Sequence, residues 1–224
     1  QGDPHRETAE ALSPVLFGSE FAAADPDEQT RRRKVCKGIV FGTLYGQGSA
    51  ALATMTGLTD AEAERAQEVV MGRYPDLKRW IKDTQRRAVQ DGHCSTWWGG
   101  GPARRRPVPD ITHPADETKG HAERQSYNSP VQGTGSEFCV ASLVHIVRAV
   151  VDSGIDARVS MTVHDSILAE VARDDLDEFV DLARGIMTGW ESGAIPLEVD
   201  VEVGPNWGEM EAIDSWKIAQ GVRA

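Results

Sequence analysis

Residues 31–48 read "RRRKVCKGIVFGTLYGQG": five cations in seven positions, then aromatic and small residues. The stretch sits inside a longer helical signal. Just upstream, "DPDE" at 25–28 offers Asp25 as N-cap, Pro26 at the first helical position and Glu28 at the third, the pattern of a capping box. The helix is expected to run to Gly46, about 30 Å at 1.5 Å per residue, and "GQG" at 46–48 should stop it. Arg33, Lys37, Phe41 and Tyr45 recur at every fourth position. Each such step turns a helix by about 400°, so the four side chains form one slowly drifting stripe, cations at one end and rings at the other. A triphosphate with an attached base needs that order: cations where negative charge is densest, flat apolar surface where base and sugar lie. Phe41 and Tyr45 also fit a plain core face with incidental cations. Gly42 and Gly46 weigh against it, because a helical glycine costs up to about 1 kcal/mol relative to alanine, so two beside the rings point to something approaching the backbone closely.

The chain has 224 residues, 40% of them hydrophobic, and no internal repeat, enough for one good core or two small ones. No consecutive apolar run nears the roughly 18 residues of a membrane span and no charged-then-apolar leader opens the chain, so a soluble, intracellular protein is expected. Cys36, Cys94 and Cys139 are odd in number and lack CxxC spacing. They fit packing residues in a reducing compartment better than a disulfide framework or a zinc site. The first residue is Gln, not Met, which is consistent with a piece or processed form of something longer. The net charge of −11 hides an asymmetry: from Asp152 onward there are sixteen acidic and five basic residues, against nineteen of each in 1–151. Phosphate binding depends on local Lys and Arg clusters rather than on bulk charge, and there are two, Arg31–Lys37 and Arg104–Arg106. Either could instead be a solvated face.

Further helices are expected over 59–74, 75–90 and 129–153, and an acidic amphipathic one over 174–190. Residues 92–120, rich in Gly, Pro and Arg, should form a β-hairpin or ordered loop around "WWGGGPARRRPVP". "ARVSMTV" and "ILAEV" flank "HDS" as an antiparallel hairpin with His164 and Asp165 at its tip, and "LEVDVEVG" reads as a last strand. Helices cluster early and strands late, an α+β order.

Two more constellations carry chemistry. In "ERQSYNSPVQGTGSE", Arg124, Asn128 and Gln132 repeat the spacing of four. Ser129, Pro130 and Gln132 also read as N-cap, first turn and capping-box partner of the next helix, which would make Gln132 structural. Arg124 and Asn128 have no such role, and polar fork-shaped side chains suit contacts in a nucleic-acid groove. In "TVHDS", Asp165 is either a turn former or a carboxylate held on a rigid support. Phosphoryl transfer needs Mg²⁺, and Mg²⁺ takes oxygen ligands, typically one or two carboxylates plus substrate oxygens.

These segments, in this order, resemble the C-terminal half of a family A DNA polymerase, the DNA polymerase I type. "RRRKVCKGIVFGTLYG" resembles that family's R-x3-K-x3-F-x3-Y-G fingers helix, "TWWGGGPARRRPVPDI" its T-x-x-G-R-R-R-x-x-P-D-I segment with insertions, "ERQSYNSPVQGT" its R-x3-N-x-P-x-Q-G-T segment and "VHDS" its V-H-D-E palm motif. "PHRETA" and "VGPNWGE" fit as well. The resemblance implies helical fingers and an antiparallel-sheet palm of a right-hand polymerase, incomplete, with 1–25 leading from palm to fingers, 26–120 the fingers and 121–224 the C-terminal half of the palm.

It also implies roles. Arg33 and Lys37 would bind the incoming triphosphate, with Lys37 also a proton donor to pyrophosphate; Phe41 would lie against sugar and base, and Tyr45 near the templating position. Arg124, Asn128 and Gln132, with Arg104, Arg105 and Arg106, would contact primer-template DNA. His164 would sit by the primer end and Asp165 would hold Mg²⁺ in a two-metal site. The family's other catalytic Asp, in a D-Y-S-Q-x-E strand motif, belongs upstream of "PHRETA", and thumb and exonuclease are absent too. The expectation is a fragment or a split-enzyme subunit, inactive alone, whose missing region or partner polypeptide supplies that Asp, acting on DNA and dNTPs in the cytoplasm of a bacterial or phage-infected cell and away from membranes. Ser166 stands where Glu is usual and points toward phage-type single-subunit RNA polymerases; a non-catalytic DNA-binding derivative is the remaining alternative.

Overall fold

The computed structural model describes residues 3–97, 103–193 and 195–214. The fold is α+β and divides into two compact units, one of residues 1–94 and 105–129, the other of 95–104 and 130–224. The last passage of the chain from the first to the second, at 129–130, falls inside one long helix.

In the first unit α1 (Pro4–Phe17) starts at Asp3, whose side chain accepts from the amides of His5 and Arg6, and ends at Gly18, φ 67°. This helix adds to those expected, although Asp3-Pro4 obeys the same start rule as Asp25-Pro26. The long helix α2 (Pro26–Leu44) is capped by Asp25, which accepts from the Glu28 amide at 2.9 Å. Its capping box is only half made, because the Glu28 carboxylate turns to Arg31 (2.6 Å) and Arg32 (2.9 Å). After Gly46 comes an unexpected short helix, α3 (Ser49–Thr56). The full capping box belongs to α4 (Asp60–Arg73), between Thr59 and Glu62; α5 (Pro75–Asp91) follows. Leu12, Cys36, Ile39, Leu52 and Val70 from α1 to α4 are fully buried together. A smaller core of Ala88, Cys94, Val108, Ile111 and Ala122 sits under the pair β1 (His93–Ser95) and β2 (Arg105–Pro107). The glycine-rich part of the expected hairpin, 98–102, lies outside the described residues.

The helix α6 runs Asp116–Ser153, thirteen residues longer at its start than expected, with Pro130 in its interior. Ser129 and Pro130 therefore do not open it. Proline removes one i→i−4 bond, but Ala122, Ser126 and Tyr127 are buried and hold the earlier turns. Packing overrides the local start signal. No run of consecutive apolar residues nears membrane length, but α6 contains an 18-residue window of mean hydropathy 1.4, long and apolar enough to cross a membrane by length and composition alone.

In the second unit, Ile146 and Val150 of α6 pack with Ile155, Phe179 of α7 (Leu176–Thr188) and one face of the antiparallel pair β3 (Ala157–Val163) and β4 (Ser166–Val171). The last expected strand is reduced to β5 (Glu202–Val203), paired with β6 (Glu211–Ala212). The turn at Asn206–Gly208, where Asn206 accepts from the Gly208 amide at 3.0 Å, leaves a partner only two residues long.

Candidate active site

The four stripe residues, Arg33, Lys37 and Phe41 on α2 and Tyr45 at its C-terminal cap, are all exposed, whereas Arg32, Cys36, Ile39, Val40 and Thr43 are buried. Phe41 (39% exposed) and Tyr45 (47%) are therefore not core residues. Their rings lie nearly parallel, 15° apart with centroids at 6.3 Å, and the Lys37 ammonium sits 5.7 Å from the Phe41 centroid. The five cations do not share one job. Arg32, 7% exposed, donates to the Ser19 carbonyl and hydroxyl and stacks over Phe17, tying α2 to the segment after α1. Arg31 is bound by Glu28. Arg33 donates from Nε to Asp3 at 2.7 Å. Hydrogen bonds from the Arg33 side chain and from the Arg6 and His5 amides hold the Asp3 carboxyl down at about 2.

Sequence reasoning missed the two residues that α1 brings to this stripe. Besides Asp3, the His5 ring lies 5.4 Å from that of Phe41, with a buried Nδ1 lacking a hydrogen-bond partner. The signal was the cap: a helix starting at Pro4 puts positions 3 and 5 at its open end.

The close approach expected at these glycines is present and is intramolecular. A Cβ at Gly42 would fall 2.7 Å from Leu52 Cδ1 and 2.5 Å from Gln47 Oε1. At Gly46, φ 72°, it would overlap the Tyr127 hydroxyl and lie 2.8 Å from Arg124 Cγ. Close packing of α3 and of the start of α6 on the end of α2 requires both. The same packing places two residues expected at DNA: Arg124 stands against Gly46, and Asn128 donates to the Tyr45 carbonyl at 3.2 Å, linking it to the ring end of the stripe. Arg106 donates to Ser129 Oγ at 3.0 Å and Arg105 is exposed.

In the second unit, Gln132 is exposed, and Arg104 is held by Glu137 at 2.6 Å. The β3–β4 turn is His164–Asp165, in register between Val163 and Ser166. His164 has φ 57°, the only positive φ outside glycine among the described residues, a conformation that costs roughly 1–2 kcal/mol for an L-residue. Ser166 closes the turn by donating to the Val163 carbonyl at 2.8 Å. Asp165 is exposed, and its charge, after burial, helps push the Cys139 thiol on α6 upward. The three cysteines are free and buried, the packing role expected of them.

Residues 1–209 match the family model "DNA polymerase family A". The chain belongs to DNA polymerase family A. DNA polymerase I of Chloroflexus aurantiacus is 32% identical over 204 residues, 91% of this chain and 21% of the relative. The thermostable DNA polymerase I of Thermus aquaticus is 31% identical, over 92% of this chain and 23% of that protein. Among solved structures, the POL domain of Pol1 from M. smegmatis, in complex with DNA primer-template and dNTP, aligns with a TM-score of 0.73 at 26% identity, covering 88% of this chain and 32% of that one. This family A chain thus spans about a fifth of the length of the curated relatives it matches.

Proposed function

We propose that this chain is the nucleotide- and DNA-binding part of a DNA-directed DNA polymerase, which adds deoxynucleotides to a primer 3′ end. The observation that carries the reading is the exposed stripe of α2 and its cap, where two cations lead into two stacked rings on a helix whose opposite side, at Arg32, Cys36, Ile39 and Thr43, is buried. Family membership and the primer-template and dNTP in the M. smegmatis Pol1 complex support the choice of ligand.

In this reading Arg33 and Lys37 hold the triphosphate, and Lys37 gives a proton to the departing pyrophosphate. Phe41 lies under sugar and base, with His5 against its ring, and Tyr45 stacks near the template. Arg124, Asn128, Gln132 and Arg104–Arg106 meet primer and template; of these, Arg104 exchanges Glu137 for phosphate. His164 orients the primer end. Asp165 fits Mg²⁺ as one oxygen ligand, exposed on a rigid turn. Among the described residues no three His, Cys, Asp or Glu side chains cluster for a metal; in this reading a further carboxylate, from an upstream region or a second polypeptide, completes the site. Bound there, Mg²⁺ would supply Lewis-acid activation of the primer hydroxyl and charge for the leaving phosphates. Ser166, closing its own turn, gives no separate support to ribonucleotide synthesis. The setting is the cytoplasm of a bacterial or phage-infected cell.

The test is primer extension with Mg²⁺ and dNTPs. The chain alone should extend negligibly. Supplied with the family's upstream palm region, it should extend primers, and Lys37→Ala should depress the chemical step far more than template binding. Robust extension by the chain alone, or equal losses in both steps, contradicts the reading.

A further inference from the structure

Asp3 divides its carboxylate between two elements. Oδ1 accepts from the amides of His5 (3.0 Å) and Arg6 (3.1 Å) at the start of α1, and Oδ2 accepts from Arg33 Nε at 2.7 Å. The first pair fixes the carboxylate on the helix end, so the second fixes the guanidinium on the carboxylate. Because Asp3 takes the Nε edge, the two terminal amines of Arg33 keep their outward edge. A guanidinium held this way presents a planar fork of the kind that meets two phosphate oxygens together. The same helix end lays the His5 ring on Phe41, so one carboxylate sets up both the phosphate end and the ring end of the stripe.

We infer that Asp3 is a positioning residue for the nucleotide, orienting Arg33 by its Nε edge so that the terminal amines are aimed at the triphosphate. The inference rests on the proposed nucleotide role of the α2 stripe. It opposes simple electrostatics. A carboxylate beside a polyanion site should weaken binding, so its removal should tighten binding if charge alone governs. If orientation governs, removal weakens binding, because a rotamer-rich side chain must then be ordered by the ligand.

The experiment titrates the whole chain with dATP in the presence of Mg²⁺, followed by NMR, including the Arg33 Nε–Hε signal. Asp3→Asn keeps the helix cap, since Asn caps as well as Asp, and a circular dichroism melt verifies folding. We expect Asp3→Asn to bind dATP about two- to ten-fold more weakly, the cost of ordering one long side chain, and to lose the shifted Nε–Hε signal. Arg33→Lys, which has no Nε–H to be held, should lose affinity by itself and be insensitive to adding Asp3→Asn. Unchanged or tighter binding by Asp3→Asn, with Arg33→Ala still weakened, overturns the positioning role and leaves the stripe intact. Arg33→Ala and Lys37→Ala both binding like wild type would overturn the stripe and the inference together. Should Asp3→Asn melt early, the Arg33→Lys comparison in wild-type and Asp3→Asn backgrounds at low temperature still decides: additive losses refute the inference.

Discussion

Gly46→Ala places a methyl group where the end of α2 meets the start of α6. Two costs follow from the geometry. With φ at 72° the residue is left-handed, which costs an L-residue roughly 1–2 kcal/mol. The new Cβ would also overlap the Tyr127 hydroxyl and stand 2.8 Å from Arg124 Cγ. Tyr127 is buried and cannot swing into solvent, so an overpacking cost of roughly 1–3 kcal/mol is added. The expected loss is about 2–5 kcal/mol, a large share of the roughly 5–15 kcal/mol that holds a typical domain. Urea unfolding by circular dichroism, with amide exchange on α2 to localise the loss, measures it. Gly72→Ala is the control: Gly72 lies in α4 with nothing within 4 Å of a new Cβ, and alanine there should stabilise by up to about 1 kcal/mol. A loss under about 1 kcal/mol at Gly46 would refute the claim that this glycine is required by packing.

Acid should loosen the first unit in a defined window. Glu28 is lowered from 4.5 to about 2, chiefly by its hydrogen bonds to Arg31 and Arg32, and Asp3 from 3.8 to about 2, chiefly by Arg33. The unfolded chain takes up these protons first, so the stability they give is complete above pH 4.5 and is lost as pH falls toward about 2; Glu28→Gln should flatten that part of a stability–pH curve. Among the five cations of 31–37, Arg32→Ala should lower the urea midpoint most, since only Arg32 is buried; an equal or larger effect from Lys34→Ala contradicts this. In a completed enzyme Phe41→Tyr should ease acceptance of 2′,3′-dideoxynucleotides, the new hydroxyl standing in for the one missing from the sugar. Competition between dNTP and ddNTP in extension assays reads it, and unchanged selectivity counts against the placement of Phe41.

What could be read in advance follows the range of the forces involved. The start of α2 was legible because Asp25, Pro26 and Glu28 act within one turn, and the Val163–Ser166 hairpin because alternating apolar strands flank a two-residue turn. The stripe was legible too, since helical spacing alone puts Arg33, Lys37, Phe41 and Tyr45 on one edge. Other features depend on contacts distant in sequence. Pro130 looks like a helix start until buried Ala122, Ser126 and Tyr127 are seen to hold thirteen earlier residues helical. A close approach at Gly42 and Gly46 was legible from two glycines in one helical turn, but its source, α3 and α6, lies too far along the chain to be read locally. Arg32 is indistinguishable from its neighbours in the string "RRRK" and becomes structural only through Ser19 and Phe17. The short ladder of β5 reflects its partner, which no periodicity within 197–204 encodes.

The order of function along α2 can be tested by comparing two probes on the labelled whole chain. Inorganic tripolyphosphate with Mg²⁺ should shift the backbone amides around Arg33 and Lys37 and leave Phe41 and Tyr45 unmoved; dATP with Mg²⁺ should shift all four. Shifts from dATP that bypass this edge of α2, or that move the rings without the two cations, would contradict the account.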